Sequence, residues 1–197
     1  MKTILKRHVY ILLILLLDVI ILGCSPALES RVKTYEQAHN EHDIEEVMSL
    51  YANDITFEIV GTWKKTGKEQ VSGLAEWDAA TNSQMIISDI RVSNDTVTFK
   101  LKEGNDWFRL AGIEFMYYEP CTMVFKNGLI KEIRAEVTQE SMLAFNEVWP
   151  SIYQWISKER NEELSGLIFE GQFVYNSENA KKWLSLLHEW RKKDKDL

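Results

Sequence analysis

A run of strand-like segments between residues 84 and 137 constrains the fold more than any other part of the chain. Its clearest unit is a predicted hairpin, in which residues 113–125 and 129–137 flank a turn at Asn127-Gly128. Asn-Gly between β-rich runs indicates a tight turn, because both central residues of a type I′ turn need positive φ. Another predicted hairpin, over residues 84–92 and 96–101, precedes it. The middle of the chain therefore predicts consecutive antiparallel strands.

Amphipathic helical patterns lie before and after these strands, where apolar residues recur at the spacing i, i+3, i+4 and i+7. The predicted elements outside the strand run are helices over residues 28–40, 44–51 and 68–82, a strand over residues 54–63, and helices that begin at Thr138 and Ser177. Asp43 with Glu46, and Thr66 with Glu69, have the spacing of helix capping boxes. We therefore expect one α+β domain over residues 24–137 and a C-terminal helical extension, residues 138–197, packed on it.

The N-terminal segment, residues 1–23, has the organisation of a secretory signal peptide. Basic residues come first, an apolar stretch over residues 9–17 follows, and Ile21-Leu22-Gly23-Cys24 ends it. That tetrapeptide resembles the lipobox of bacterial lipoproteins, in which the cysteine becomes the lipidated first residue of the mature chain. An uncleaved anchor helix is the alternative, but the apolar run is short for a membrane span. We therefore expect an extracytoplasmic protein, lipid-anchored to a bacterial membrane through Cys24.

Charge and cysteine content exclude several classes of function. The formal net charge is −7, and residues 1–23 hold three basic groups and one acidic group, so the mature chain carries −9. Phosphate backbones and anionic headgroups repel an acidic domain, so we expect no nucleic-acid partner and membrane attachment through the lipid. With Cys24 lipidated, Cys121 is the only thiol, which leaves no disulfide and no cysteine metal cluster. We expect no cofactor and no metal, and a buried, inert Cys121.

The order helix, helix, strand, helix and then long antiparallel strands resembles the nuclear-transport-factor-2-like superfamily, which includes SnoaL-like polyketide cyclases and ketosteroid isomerases. The segments that carry the resemblance are residues 35–40, residues 43–54 with Leu50-Tyr51-Ala52-Asn53-Asp54, Gly67-Lys68-Glu69, Asn94-Asp95-Thr96-Val97, and residues 125–133. They cover residues 32–137. The resemblance implies a curved antiparallel sheet, wrapped into a cone by the N-terminal helices, with a deep apolar pocket. It also implies dimerisation through the outer face of the sheet.

The resemblance does not place a catalytic mechanism on this chain. Related cyclases use a strand-borne histidine, but His39, His42 and His188 all lie on helical patterns, where we expect surface or core-edge residues. No tyrosine and aspartate match the pair that ketosteroid isomerases use. Two weak sets of catalytic candidates remain. They are Tyr117 with Glu119, which share a predicted strand face, and Arg134 with Glu136, which are catalytic if they face the pocket and a solvent-exposed pair if they face outward.

Aromatic residues are the best candidates for lining a pocket, since ligand sites are mostly apolar with a few fixed polar groups. The candidate ligand-binding residues are Tyr51, Trp63, Trp77, Asp106, Trp107, Arg109 and Tyr117, with the loop Asn105-Asp106-Trp107-Phe108-Arg109 expected at the pocket mouth. The helix over residues 68–82 would turn Val71, Leu74 and either Trp77 or Asp78 inward. Ordinary core packing is the alternative for the tryptophans.

Three functions stay open at this stage. The first is a lipoprotein that binds a small, largely apolar molecule. The second is a cyclase- or isomerase-type enzyme that transfers protons next to a carbonyl. The third is a structural or dimerisation module, in which the tail tryptophans, Trp149, Trp155, Trp183 and Trp190, fill or cap the cone.

Overall fold

The computed structural model describes residues 27–194, so the signal segment and the proposed lipidation site at Cys24 lie outside the described residues. This part of the chain forms helices at both ends and strands in the middle. In chain order the elements are α1 (residues 27–40), α2 (Ile44–Leu50), β1 (Tyr51–Ile59), β2 (Trp63–Thr66), α3 (Lys68–Ala80), β3 (Gln84–Ser93), β4 (Thr96–Gly104), α4 (Asp106–Ala111), β5 (Met116–Lys126), β6 (Leu129–Val137), α5 (Gln139–Glu159), α6 (Asn161–Leu167), β7 (Ile168–Phe169), β8 (Gln172–Phe173) and α7 (Ser177–Asp194).

Six strands form one curved, open sheet in the order β2-β1-β6-β5-β4-β3. The pairs made by β3 to β6 are antiparallel, as predicted, whereas β1 lies parallel to β6. The predicted strand over residues 54–63 is wrong in extent, because Gly61 (φ +75°) turns the chain and splits it into the hairpin β1–β2. The α+β class, the helix-wrapped curved sheet and the C-terminal helices expected from the sequence are confirmed.

Turn and cap residues set most element boundaries. Asn127 and Gly128 both have positive φ, at 53° and 77°, which confirms the predicted turn between β5 and β6. Asp43 caps α2, since its Oδ1 accepts a hydrogen bond of 2.9 Å from the Glu46 backbone N–H. The predicted Thr66–Glu69 capping box is wrong. The helix α3 starts after Gly67 instead, and Gln70 Oε1 accepts from the Thr66 backbone N–H at 3.2 Å.

A bulge in β5 reverses which side chains face the core. Both neighbouring strands shift register by one residue between Tyr118 and Cys121, and the extra residue lies at Glu119-Pro120. Met116 and Tyr118 therefore point to the same side as Cys121, Met123 and Phe125, and all five are buried. Strict alternation along the strand would place Tyr117 on the same face as Cys121, but the two-residue period does not survive the extra residue.

Two hydrophobic cores share the described part of the chain. The first lies between the concave face of the sheet and α1 to α3. The second is built mainly by the C-terminal helices around Trp183, and Trp77 from α3 and Trp107 from α4 reach into it. Cys121 belongs to the first core, where burial raises the pKa of its thiol to about 12, as expected of an inert cysteine. Between residues 27 and 194, no helix combines the length and apolarity that crossing a bilayer requires.

Candidate ligand-binding cavity

A cavity of about 230 Å³ lies where the sheet, α3, α4 and the C-terminal extension meet. Half of its eighteen lining residues are aromatic, so its walls are rings rather than aliphatic chains. The lining residues are Phe57, Ile59, Thr62, Trp63, Leu74, Trp77, Asp78, Glu103, Asn105, Trp107, Phe108, Met116, Tyr118, Val137, Met142, Phe145, Phe173 and Tyr175. Six of them carry a hydroxyl, amide or carboxyl group, and four of these six form one group.

The C-terminal extension supplies one wall of this cavity, which we call the tail wall: Met142, Phe145, Phe173 and Tyr175. The Tyr175 ring packs edge-on against Trp77, with ring centroids 5.1 Å apart, and tilts over Trp63 at 5.8 Å. Gly73 on α3 permits this approach, because a Cβ there would lie 2.4 Å from the Tyr175 carbonyl oxygen. The extension thus borders the cavity without filling it.

The polar groups of the cavity, which we call the polar cluster, are Asp78 on α3, Glu103 at the end of β4, Asn105, and Tyr118 on β5. Three side chains donate hydrogen bonds to the Glu103 carboxylate. They are the Ser83 hydroxyl at 3.1 Å, the Asn105 amide at 3.1 Å and the Tyr118 hydroxyl at 3.2 Å. The Asp78 carboxyl, in contrast, has no hydrogen-bond donor among the residues that the structure describes. The two acids therefore line the same cavity but differ in hydrogen bonding, since three side chains donate to Glu103 and none of the described residues donates to Asp78.

Both carboxyls are pushed toward their neutral forms. Burial raises the pKa of Asp78 well above its ordinary value, and the neighbouring charge of Glu103 raises it further. Burial also raises the pKa of Glu103, although its three donors act in the opposite direction. The Asp78 side chain lines two cavities and exposes 28% of its surface, so its burial is incomplete. Because two neighbouring negative charges repel, ionisation of either carboxyl opposes ionisation of the other.

His39 lies directly behind the polar cluster. It is buried on α1, its Nε2 is 3.2 Å from the Ser83 hydroxyl, and its Nδ1 is 3.7 Å from Asp78 Oδ2. Burial lowers its pKa to about 4, with a smaller contribution from His42, so the ring is neutral near pH 7 and the contact is not an ion pair. We expected a surface or core-edge histidine. The structure instead connects His39 to Glu103 through Ser83.

Three residues named from the sequence, Trp63, Trp77 and Trp107, line the cavity. Tyr51 lines a separate space of about 20 Å³ on the other side of Asp78, where its hydroxyl donates to that of Tyr35 at 3.2 Å. Asp106 and Arg109 do not reach the cavity, since they form a half-exposed ion pair within one turn of α4.

The four catalytic candidates also lie outside the cavity. Tyr117 is 42% exposed, and Glu119 pairs with Lys100 at 3.2 Å, because the bulge in β5 directs both outward. Arg134 and Glu136 pair with each other at 3.1 Å, with some 40% of each side chain exposed, while Ile133 and Ala135 of the same strand are buried. Of the two orientations open from the sequence, the structure has the solvent-facing one.

The carboxyl pair of Asp78 and Glu103 was not predicted, although the sequence contains a pattern that indicates it. Asp78 lies at helical spacing from Val71 and Leu74, and Glu103 continues the inward alternation of Val97, Phe99 and Leu101. Two acids, each at an apolar position in the pattern of its own element, are the signal that points to such a site. Within residues 27–194, no three histidine, cysteine or acidic residues are grouped so as to hold a metal ion.

Known proteins resemble this chain in structure rather than in sequence. No protein-family model and no curated protein matches it. The LEH-like epoxide hydrolase of M. tuberculosis is 13% identical over 66% of this chain and 97% of its own, with a TM-score of 0.51. Bal32a, from a soil-derived mobile gene cassette, is 15% identical over 63% and 97%, with a TM-score of 0.52. The chain has the nuclear-transport-factor-2-like fold.

A further structure with the same fold is SalBIII, an epoxide hydrolase/cyclase-like enzyme of pyran ring formation in salinomycin. It is 13% identical over 57% of this chain and 92% of its own, with a TM-score of 0.51. At such identities the likeness establishes the nuclear-transport-factor-2-like fold and says nothing of activity. The fold expected from the order of the elements is thereby confirmed.

Proposed function

We propose that the protein binds a small, largely apolar molecule in the cavity between the cone and the C-terminal extension. The observation that carries the proposal is the 230 Å³ cavity itself, with aromatic walls and one group of polar side chains. Small-molecule sites have this composition, in which apolar walls supply affinity and a few polar groups fix orientation. The volume is below the roughly 300–1,000 Å³ of pockets for drug-sized ligands, so we expect a smaller molecule.

Native mass spectrometry of the full-length protein, purified from its own host in detergent, tests this proposal. We expect a retained small molecule, and we expect Met142→Trp to lose it, because the larger side chain enters the cavity. Leu143→Trp is the matched control, since Leu143 is the next residue of α5 and is 61% exposed. Recovery of nothing from the unmodified protein, together with no thermal shift across a panel of small aromatic and aliphatic compounds, would contradict the proposal.

A second candidate function is general acid/base catalysis on the bound molecule, and the Asp78–Glu103 pair favours it. A carboxyl whose pKa is raised by burial holds its proton to higher pH than an ordinary aspartate does, which suits it better to general acid/base catalysis. The retained molecule, incubated with the protein in D₂O, separates the candidates. Deuterium uptake at carbon that requires Asp78 indicates catalysis, whereas an unchanged molecule indicates binding alone.

We also propose that Cys24 anchors the protein by lipid at the extracytoplasmic face of a bacterial membrane. The lipobox-like residues 21–24 support this, and the acidic mature chain needs a lipid, since anionic headgroups repel it. The Cys24→Ser variant should no longer incorporate a fatty-acid label and should remain unprocessed. Labelling that persists in this variant would contradict the assignment.

A further inference from the structure

The polar cluster has hydrogen-bond acceptors to spare and few donors. The Tyr118 hydroxyl and the Asn105 amide both donate to Glu103, and the Asn105 side-chain oxygen accepts from the Phe108 backbone N–H at 2.8 Å. Asp78 receives no donor from the described residues, so its lone pairs remain for a ligand. Buried acceptors are normally paired, because a missing hydrogen bond costs about 1–3 kcal/mol. A molecule that donates a hydrogen bond to Asp78 would therefore complete this cluster.

The same cluster has no positive charge to balance its acids. None of the eighteen residues that line the cavity is lysine, arginine or histidine, and His39 behind them is held neutral. Buried carboxylates are ordinarily paired with a cation or kept protonated. A cationic ligand between Asp78 and Glu103 would favour the ionised form of both acids.

The aromatic walls of the cavity suit the same kind of group. Ring faces attract ammonium ions within about 6 Å of their centroids. Two rings of this molecule make such a contact, because Lys65 Nζ lies 5.9 Å from the Trp63 ring centroid and 5.4 Å from the Tyr175 ring centroid. Both rings also line the cavity, so its walls include rings of the kind that contact ammonium groups.

We propose that the molecule bound in the cavity is a primary amine with an apolar body, whose ammonium group lies between Asp78 and Glu103. Its three N–H groups donate to the two carboxylates, and its apolar body packs against the surrounding rings. This inference rests on the proposed binding function and names the chemical class of the ligand.

Isothermal titration calorimetry of the full-length protein in detergent, at pH 7, tests the inference with matched probes. The probes are phenethylamine with 2-phenylethanol, tryptamine with tryptophol, and the anion phenylacetate. We expect each amine to bind at least tenfold more tightly than its alcohol, and phenylacetate to bind most weakly. In Asp78→Asn the advantage of the amines should fall at least fivefold while the alcohols bind as before, which shows that the cavity is intact. Glu119→Gln, on the outer face of the sheet, should bind all five probes as the unmodified protein does.

The outcomes of this experiment distinguish the inference from the function on which it rests. Alcohols that bind as tightly as the amines, or an amine preference that survives in Asp78→Asn, would overturn the amine assignment and leave a binding cavity in place. If no probe binds, the assignment fails, and the proposed function is then judged by its own retained-ligand experiment. Tighter binding of phenylacetate than of phenethylamine would overturn the assignment and reverse the inferred charge.

Discussion

The polar cluster and the tail wall of the cavity come from different parts of the chain and are held by different forces. Glu103 is fixed by hydrogen bonds from Ser83, Asn105 and Tyr118, all of them in the sheet or its loops. The tail wall is held by aromatic packing against the second core. The cone therefore determines the chemistry of the cavity, whereas the C-terminal extension determines its size. Variants in one region should change one property and leave the other in place.

The largest effect is expected where the tail wall meets the second core, at Trp183. This side chain is fully buried, and its ring lies 5.0 Å from Phe173 and 6.1 Å from Trp107. Trp183→Ala should lower the free energy of unfolding by about 3–5 kcal/mol, because the cavity left behind cannot collapse completely. Chemical denaturation followed by circular dichroism measures the loss.

Trp183→Phe is the matched control for this variant. The Trp183 indole N–H has no hydrogen-bond partner among residues 27–194, so phenylalanine removes an unpaired buried donor and keeps most of the ring packing. We expect less than half the loss seen with alanine. A similar loss in both variants would show that ring packing does not hold the tail wall.

The next largest effect is a pH dependence of stability, which we expect from His39 behind the polar cluster. The pKa of His39 is lowered by burial from 6.5 to about 4, so the folded protein binds fewer protons than the unfolded chain in this interval. The stability that neutral His39 contributes is complete above pH 6.5 and is lost as the pH falls, by up to about 3 kcal/mol at pH 4. His39→Gln should remove this slope from the unfolding free energy measured against pH.

Asp78 and Glu103 contribute a slope of the opposite sign. Their raised pKa values mean that the folded protein holds protons longer, so their contribution to stability decreases as the pH rises above their ordinary values. The His39 term is therefore read from the difference between the unmodified protein and His39→Gln. His188→Gln, which alters an exposed histidine, serves as the control. An unchanged slope in His39→Gln would place the acid sensitivity elsewhere.

The sequence predicts the cone better than it predicts the cavity. Local signals such as the Asn127-Gly128 turn and the Asp43 cap are short-range, so a single stretch of residues suffices to identify them. The polar cluster combines Asp78 from a helix with Glu103 from a strand, and no local sequence pattern predicts that the two side chains line the same cavity. The bulge at Glu119-Pro120 is a further obstacle, because one extra residue exchanges Tyr117 for Tyr118 at the inner face.

The contact of Gly73 with Tyr175 tests whether the tail wall depends on close approach to α3. A Cβ at residue 73 would lie 2.4 Å from the Tyr175 carbonyl oxygen, so Gly73→Ala should destabilise the protein by about 1–3 kcal/mol. Helix propensity alone would favour alanine by up to about 1 kcal/mol. Gly166→Ala in α6, where nothing lies within 4 Å, is the matched control and should be neutral or stabilising. Equal behaviour of the two variants would refute the close approach.

The smallest effect is expected from two neighbouring tyrosines of β5, of which Tyr118 faces inward and Tyr117 outward. Tyr118→Phe removes the 3.2 Å hydrogen bond to Glu103 Oε2 and should lower the free energy of unfolding by about 1 kcal/mol. The same change should raise the pKa of Glu103 further, because one of the three donors that favour its charged form is lost. Tyr117→Phe, one residue away on the exposed face, should alter neither the stability nor the binding of a ligand. A larger effect of Tyr117→Phe than of Tyr118→Phe on stability and on ligand binding would contradict this assignment. It would mean that Tyr117 faces inward, as strict alternation predicts, and that Tyr118 is not part of the polar cluster.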